Sequence, residues 1–84
     1  MKSSGVDVSI RASRVWVEDG WVCLRLMDER EIRFPASKNR RLRNASAAQL
    51  ARVELICHGT GLHWPDLDED LSVLGVLEGR LGQP

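Results

Sequence analysis

The dipeptide Asp19-Gly20 lies between two runs rich in β-branched and aromatic residues, Arg14 to Glu18 and Trp21 to Met27, and it constrains the fold more than any other feature of the chain. Asp and Gly tolerate the positive φ angles of a tight two-residue turn, so the pattern predicts a β-hairpin. In the second arm Val22, Leu24 and Leu26 share one face while Trp21, Cys23, Arg25 and Met27 share the other, because side chains alternate along a strand. The first face is therefore core and the second is mixed. Met27-Asp28-Glu29-Arg30 reads as a further turn, and Glu31 to Phe34 as a third strand ended by Pro35, which has no amide hydrogen to give to a ladder. A three-stranded meander follows. Upstream, Val6, Val8 and Ile10 alternate with Asp7 and Ser9, which predicts a short strand beginning near Val6, after a disordered stretch over 1–5.

Residues 36–44 hold Ser37, Lys38, Asn39, Arg40, Arg41 and Arg43, fit neither periodicity, and are expected to form a basic loop. Ser46-Ala47-Ala48-Gln49 has capping-box spacing, so a short helix starts at Ser46 with Leu50 and Val53 facing inward. The alternation of Val53, Leu55 and Cys57 against Glu54, Ile56 and His58 then predicts a strand. Gly59-Thr60-Gly61 reads as a turn, and Leu62-His63-Trp64 runs into Pro65 and a cluster of carboxylates. Ser72 is placed to cap a terminal helix with Val73, Leu74, Val76 and Leu77 on its apolar face and Gly79 at its end. The expected architecture is α+β: a small antiparallel sheet with an N-terminal β-meander, a short central helix, a further strand and a short C-terminal helix, all in a single domain over 1–84.

An 84-residue chain is too short to bury two cores. A domain of this size removes only roughly 60 to 65% of its unfolded surface from water, so self-association or a partner protein would stabilise it. The 12 basic and 12 acidic side chains cancel, which removes any global attraction to phosphate backbones or anionic lipid. Cys23 and Cys57 make no disulfide framework and are expected to be reduced and buried. No apolar run approaches the roughly 20 residues that span a bilayer, and the N-terminus leads into no signal-peptide segment, so the expected location is cytoplasmic.

His58, His63, Asp66, Asp68, Glu69 and Asp70 are metal-ligating types, but they lack the short paired Cys or His spacing of zinc sites. The run Asp66 to Asp70 also lacks the central glycine and distant glutamate of a calcium loop. Lying before the expected terminal helix, these carboxylates are better read as caps on its free amides. Cys57 and His58 are adjacent, and neighbours in a strand point to opposite faces, which argues against a nucleophile and base pair. No catalytic, metal-binding or cofactor-binding residue is therefore assigned, and no small-molecule substrate. Lys38, Arg40, Arg41 and Arg43 form the one concentrated basic patch and are candidate phosphate contacts, although a solvated loop or pairing with the acidic segment Asp66 to Asp70 is the better reading. Trp64, between His63 and Pro65, is expected to plug the core with its indole N–H satisfied. Trp16 and Trp21 flank the hairpin turn and are the interface candidates, whether they stack across the turn or face a partner.

Gly59-Thr60-Gly61-Leu62-His63-Trp64-Pro65 running into Asp68-Glu69-Asp70-Leu71-Ser72-Val73, with Pro35, Ala45-Ser46 and Gln49 upstream, resembles a family of small bacterial domains known as domain of unknown function 2442. The resemblance covers nearly the whole chain beyond Arg14. Leu50 and Arg52 depart from it where relatives often carry Arg and Asn, and Cys57 where Gly is common. The resemblance implies a compact α+β fold without established enzymatic activity. It also implies relatives fused to a helix-turn-helix domain, for which a chain ending at Pro84 is expected to lack room, and relatives paired with a small companion in toxin-antitoxin-like systems. The motif residues Gly61, His63, Trp64, Pro65, Asp68, Glu69, Asp70 and Ser72 are expected to be structural. The function expected of the chain is that of a non-enzymatic interaction module, acting as a homo-oligomer or with a small companion protein. The alternative is a DNA-associated regulatory domain using Lys38 to Arg43.

Overall fold

Strands β1 (Ala12–Glu18) and β2 (Trp21–Leu26) form the expected hairpin. Glu18 stands opposite Trp21, and the turn between them holds Asp19 at φ 51° and Gly20 at φ 81°, the left-handed pair that a two-residue connection demands. A turn over 27–30 leads to β3 (Glu31–Pro35), and the three strands pair in the order β1-β2-β3. Pro35 is the last paired residue, opposite Trp21, after which the Ala36 amide donates to the Gly20 carbonyl at 2.9 Å. The computed structural model describes residues 10–82, so the strand expected from Val6 and the disorder expected over 1–5 lie outside the described residues.

The segment expected to be a basic loop is ordered. Ala36–Lys38 form a 3-10 turn and Arg40–Arg43 a short helix, α1. Two residues that periodicity overlooks produce this order. Asn39 caps α1, its Oδ1 accepting from the amides of Arg41 at 2.9 Å and Leu42 at 3.1 Å, and Leu42 buries its side chain in the core. Helix α2 (Ala47–Ala51) begins as expected, with the Ser46 hydroxyl accepting from the Gln49 amide and the Gln49 side chain accepting from the Ser46 amide.

Strands β4 (Glu54–Ile56), β5 (Gly61–Trp64) and β6 (Glu69–Ser72) make a second antiparallel sheet in the order β4-β5-β6, followed by helix α3 (Val73–Leu77). The Ser72 hydroxyl accepts from the Gly75 amide at 2.8 Å, and Gly79 ends the helix at φ 86°, as expected. The carboxylates do not cap this helix, whose first turn contains no acidic residue. Pro65 and Asp68 (φ 51°) instead turn the chain so that Glu69 pairs with Trp64, which puts Glu69 and Asp70 in a strand and Asp66 at a hairpin tip. Asp66 meets Arg52 at 3.4 Å and Glu69 meets Arg41 at 3.7 Å, while Asp70 hydrogen-bonds His63 Nδ1 at 2.5 Å.

The strand expected to run through Cys57 stops at Ile56. Cys57 (φ 54°), His58 (φ 58°) and Gly59 (φ 89°) are all left-handed, and this tight turn leaves the Cys57 thiol exposed rather than buried. Packing sets the turn, since a Cβ on Gly59 would lie 2.4 Å from the carbonyl oxygen of Ala12 in β1. Only glycine permits both that φ and that approach.

The core joins Val22, Leu24, Leu26 and Phe34 of the first sheet to Leu62, Trp64 and Leu71 of the second, with Leu42, Leu50, Val73 and Val76 filling between. Trp64 is wholly buried and its Nε1 donates to the Leu50 carbonyl at 3.2 Å, which confirms the plug and its satisfied indole. Asn39 is the one polar residue among the buried set, and its Nδ2 donates at 2.7 Å both to Glu69 Oε2 and to the Leu81 carbonyl.

Trp64→Ala is expected to cost about 3–5 kcal/mol, the usual range for a buried aromatic, measured by urea unfolding. An unchanged midpoint would refute the plug. Asn39→Ala is expected to cost about 1–3 kcal/mol because the Glu69 carboxylate and two helix amides lose their buried partner. The same titration with Asn39→Ala at wild-type stability would show that water replaces the amide.

Candidate interaction face

Alternation along the meander sorts its side chains cleanly. Val15, Val17, Val22, Leu24, Leu26, Ile32 and Phe34 turn inward, while Arg14, Trp16, Glu18, Trp21, Cys23, Arg25, Glu31, Arg33 and Pro35 form the outer face. Cross-strand register sets the outer neighbours. Trp16 stands opposite Cys23, which stands opposite Arg33, and Trp21 lies between Glu18 and Pro35. The two tryptophans thus share one face, as interface candidates should.

Each indole carries an arginine. The Arg14 guanidinium carbon sits 4.5 Å from the Trp16 ring centroid and that of Arg33 sits 4.7 Å from Trp21. Stacking of this kind combines charge–quadrupole attraction with coverage of the ring by a flat cation. The Trp16 Nε1 donates to Glu18 at 3.2 Å, and Arg25 donates to Glu31 through Nε at 3.1 Å and Nη2 at 2.5 Å. Among the described residues Arg14 and Arg33 have no carboxylate partner within ion-pair distance. Trp21 remains 37% exposed despite its cover, which is unusual for so large an apolar side chain.

Cys23 lies beneath this layer, buried on the outer face. Burial pushes its thiol pKa up, Glu18 and Glu31 push the same way, and Arg33 opposes them. Above it is a depression of about 270 Å³ walled by Trp16, Glu18, Glu31, Ile32 and Arg33. At the hairpin end the face continues past Trp21 and Pro35 into an apolar groove of about 380 Å³ floored by Leu42 and Leu50, with Asp19 and Arg43 at its rim.

The other sequence candidates fall elsewhere. Lys38, Arg40 and Arg43 are exposed, but Arg41 turns to the acidic hairpin, its Nη1 donating to the carbonyls of Leu67 at 3.2 Å and Asp68 at 3.3 Å. Pairing between the basic and acidic segments is therefore real at this one residue. His63 lies in the middle of a cross-strand row with Glu54 and Asp70 on either side, and no group of three His, Cys, Asp or Glu is gathered to hold a metal among the described residues. Gly61 begins β5 with its Cβ position 3.0 Å from Ile56 Cγ1, and the rest of the His63 to Ser72 motif builds the second hairpin and the α3 cap.

Sequence reasoning missed the two arginines over the indoles. Arg14 was discoverable, because an Arg two residues before a Trp in a strand shares its face. Arg33 reaches Trp21 from another strand, which requires the register.

A family model described as protein of unknown function (DUF2442) matches residues 12–82. The crystal structure of a protein of unknown function from Rhodospirillum rubrum is 34% identical, with a TM-score of 0.83, covering 89% of this chain and 93% of that one. The solution structure of an uncharacterised protein from Chromobacterium violaceum is 29% identical, with a TM-score of 0.75, covering 87% of this chain and 69% of that one. No curated protein matches the chain.

The contrast between the two free cysteines is directly measurable. Iodoacetamide added to the native protein is expected to modify Cys57 and spare Cys23 until denaturant is added, because one thiol is exposed and the other is buried with a raised pKa. Equal labelling of both by peptide mass mapping would show that the outer layer opens readily.

Proposed function

The chain belongs to the DUF2442 family of proteins of unknown function, and on that footing we propose that it is a non-enzymatic protein-interaction domain, working as a homo-oligomer or with a small companion protein through the outer face of its first sheet. The observation that carries this reading is the placement of Trp16 and Trp21 on one face, covered among the described residues by arginine side chains and by no second layer of the fold. Tryptophan and arginine are the residues most enriched at the energetic centres of protein interfaces. Trp21 is exposed and Trp16 half-buried, so the two indoles supply an aromatic centre for an interface whose standard size is approximately 800 Å² per partner.

The free cysteines suit a reducing, cytoplasmic compartment. A regulatory role on DNA through Lys38, Arg40, Arg41 and Arg43 is the weaker reading, because Arg41 is engaged by the chain's own acidic hairpin.

Trp16→Ala and Trp21→Ala are each expected to weaken association by at least tenfold, about 1.4 kcal/mol, while the circular dichroism spectrum stays that of the folded protein. Light scattering over a concentration series reads self-association, and quantitative capture of the companion reads a heteromeric contact. Association unchanged in both variants would rule out this face.

A further inference from the structure

We propose that the partner presented to this face is an acidic protein segment, whose carboxylates are received by Arg14 and Arg33; this rests on reading the outer face as the interaction surface. Three arginines and two glutamates occupy the face, so it carries net positive charge on a chain whose overall net charge is zero. The internal pairings are selective. Glu31 is taken by Arg25 and Glu18 accepts from the Trp16 indole, whereas among the described residues Arg14 and Arg33 are held by the rings beneath them and by no carboxylate.

A guanidinium lying over an indole is positioned without using its hydrogen-bond donors. Among the described residues neither guanidinium donates a hydrogen bond, so the N–H groups remain available as a fork for a carboxylate. Such a cation is also less mobile than a free surface arginine, so less rotamer entropy is lost when it binds. Arg14 and Arg33 come from the two outer strands of the meander and are offset by two residues along them, Arg14 in line with Glu31 and Arg33 with Trp16, so their backbone positions lie roughly 12 Å apart. An extended segment with carboxylates four residues apart, which share one face, spans roughly 13 Å. Its intervening residues would lie beside the covered indoles and over the depression above Cys23.

The same cations would also attract phosphate, but Glu18 and Glu31 stand on this face beside them. A nucleic-acid backbone has evenly repeated charge and would meet those glutamates. A peptide can place neutral residues there, so spaced carboxylates are the better complement.

The test is a titration of the full chain at low salt with an end-capped peptide carrying glutamate at every fourth residue, followed by tryptophan fluorescence. Saturable binding is expected, weakened at least tenfold in the double variant R14Q/R33Q and less in R14K/R33K, which keeps the charge but loses the fork. Thermal melts of both variants establish that they are folded, and the single variants R14Q and R33Q serve if the double one is not. A wild-type protein that does not bind the peptide, or a folded R14Q/R33Q that binds it equally well, would overturn the proposal. Tighter binding of an oligothymidylate of equal charge, lost in the same variant, would overturn it in favour of phosphate. Failure here with Trp16→Ala still weakening association would leave the interaction face standing with a neutral partner, whereas failure of both would remove the face itself.

Discussion

Four hydrogen bonds to one buried amide hold the irregular half of this molecule together. Asn39 spends its whole capacity: its oxygen accepts from two amides of α1, and its nitrogen donates to Glu69 in β6 and to the Leu81 carbonyl in the C-terminal stretch. Three segments distant in sequence are thereby fixed to one point, beside the apolar cluster that holds Leu42, Leu71 and Leu81. The fit is tight, since Gly82 passes so close that a Cβ there would lie 2.7 Å from the Asn39 nitrogen. Serine would cap α1 but has no second donor, and aspartate would cap it while repelling Glu69. Only an amide serves all four partners, and leaving any of them unpaired in the interior is costly.

The anchored Glu69 in turn organises the surface around it. With one oxygen held by Asn39, its other faces Arg41, which also reaches the carbonyls of the 65–68 turn. The acidic hairpin is thus tied back to α1 by charge-assisted contacts and to Arg52 through Asp66. These exposed pairs are worth little individually. Their effect is positional, closing the second sheet over Trp64 so that the two sheets share one core.

What was legible in the residues was local. The Asp19-Gly20 turn, the Ser46 and Gln49 capping box, the Ser72 cap and the Gly79 stop each depend on neighbours within a few positions, and the structure places all of them as read. Trp64 was legible because a tryptophan beside proline in a small chain has few places to go but the core. The basic segment and the carboxylate run were misread for the same reason as each other: their conformations are decided by partners far away. Asn39 finds Glu69 and Leu81 thirty and forty-two positions on, and a strand rich in acid is acceptable only where a sheet edge and facing cations await it. Cys57 was misread because the left-handed turn around it is imposed by the close approach of Gly59 to β1, which leaves no trace in local periodicity.

The outer face of the meander follows from the same shortage of material. Among the described residues the apolar side chains fill one layer between the two sheets, while the outer side of the first sheet keeps Trp21 exposed. That side must therefore remain compatible with water while carrying two tryptophans, and it does so by laying arginines over them. The arrangement lowers the exposed aromatic area of the free protein, which limits indiscriminate aggregation, yet the cover consists of flexible side chains rather than packed backbone and can be rearranged by a complementary surface. Candidate residues were half legible for this reason: tryptophan type and strand position pointed to Trp16 and Trp21, while the cations that control access to them come from alternation in one case and from strand register in the other.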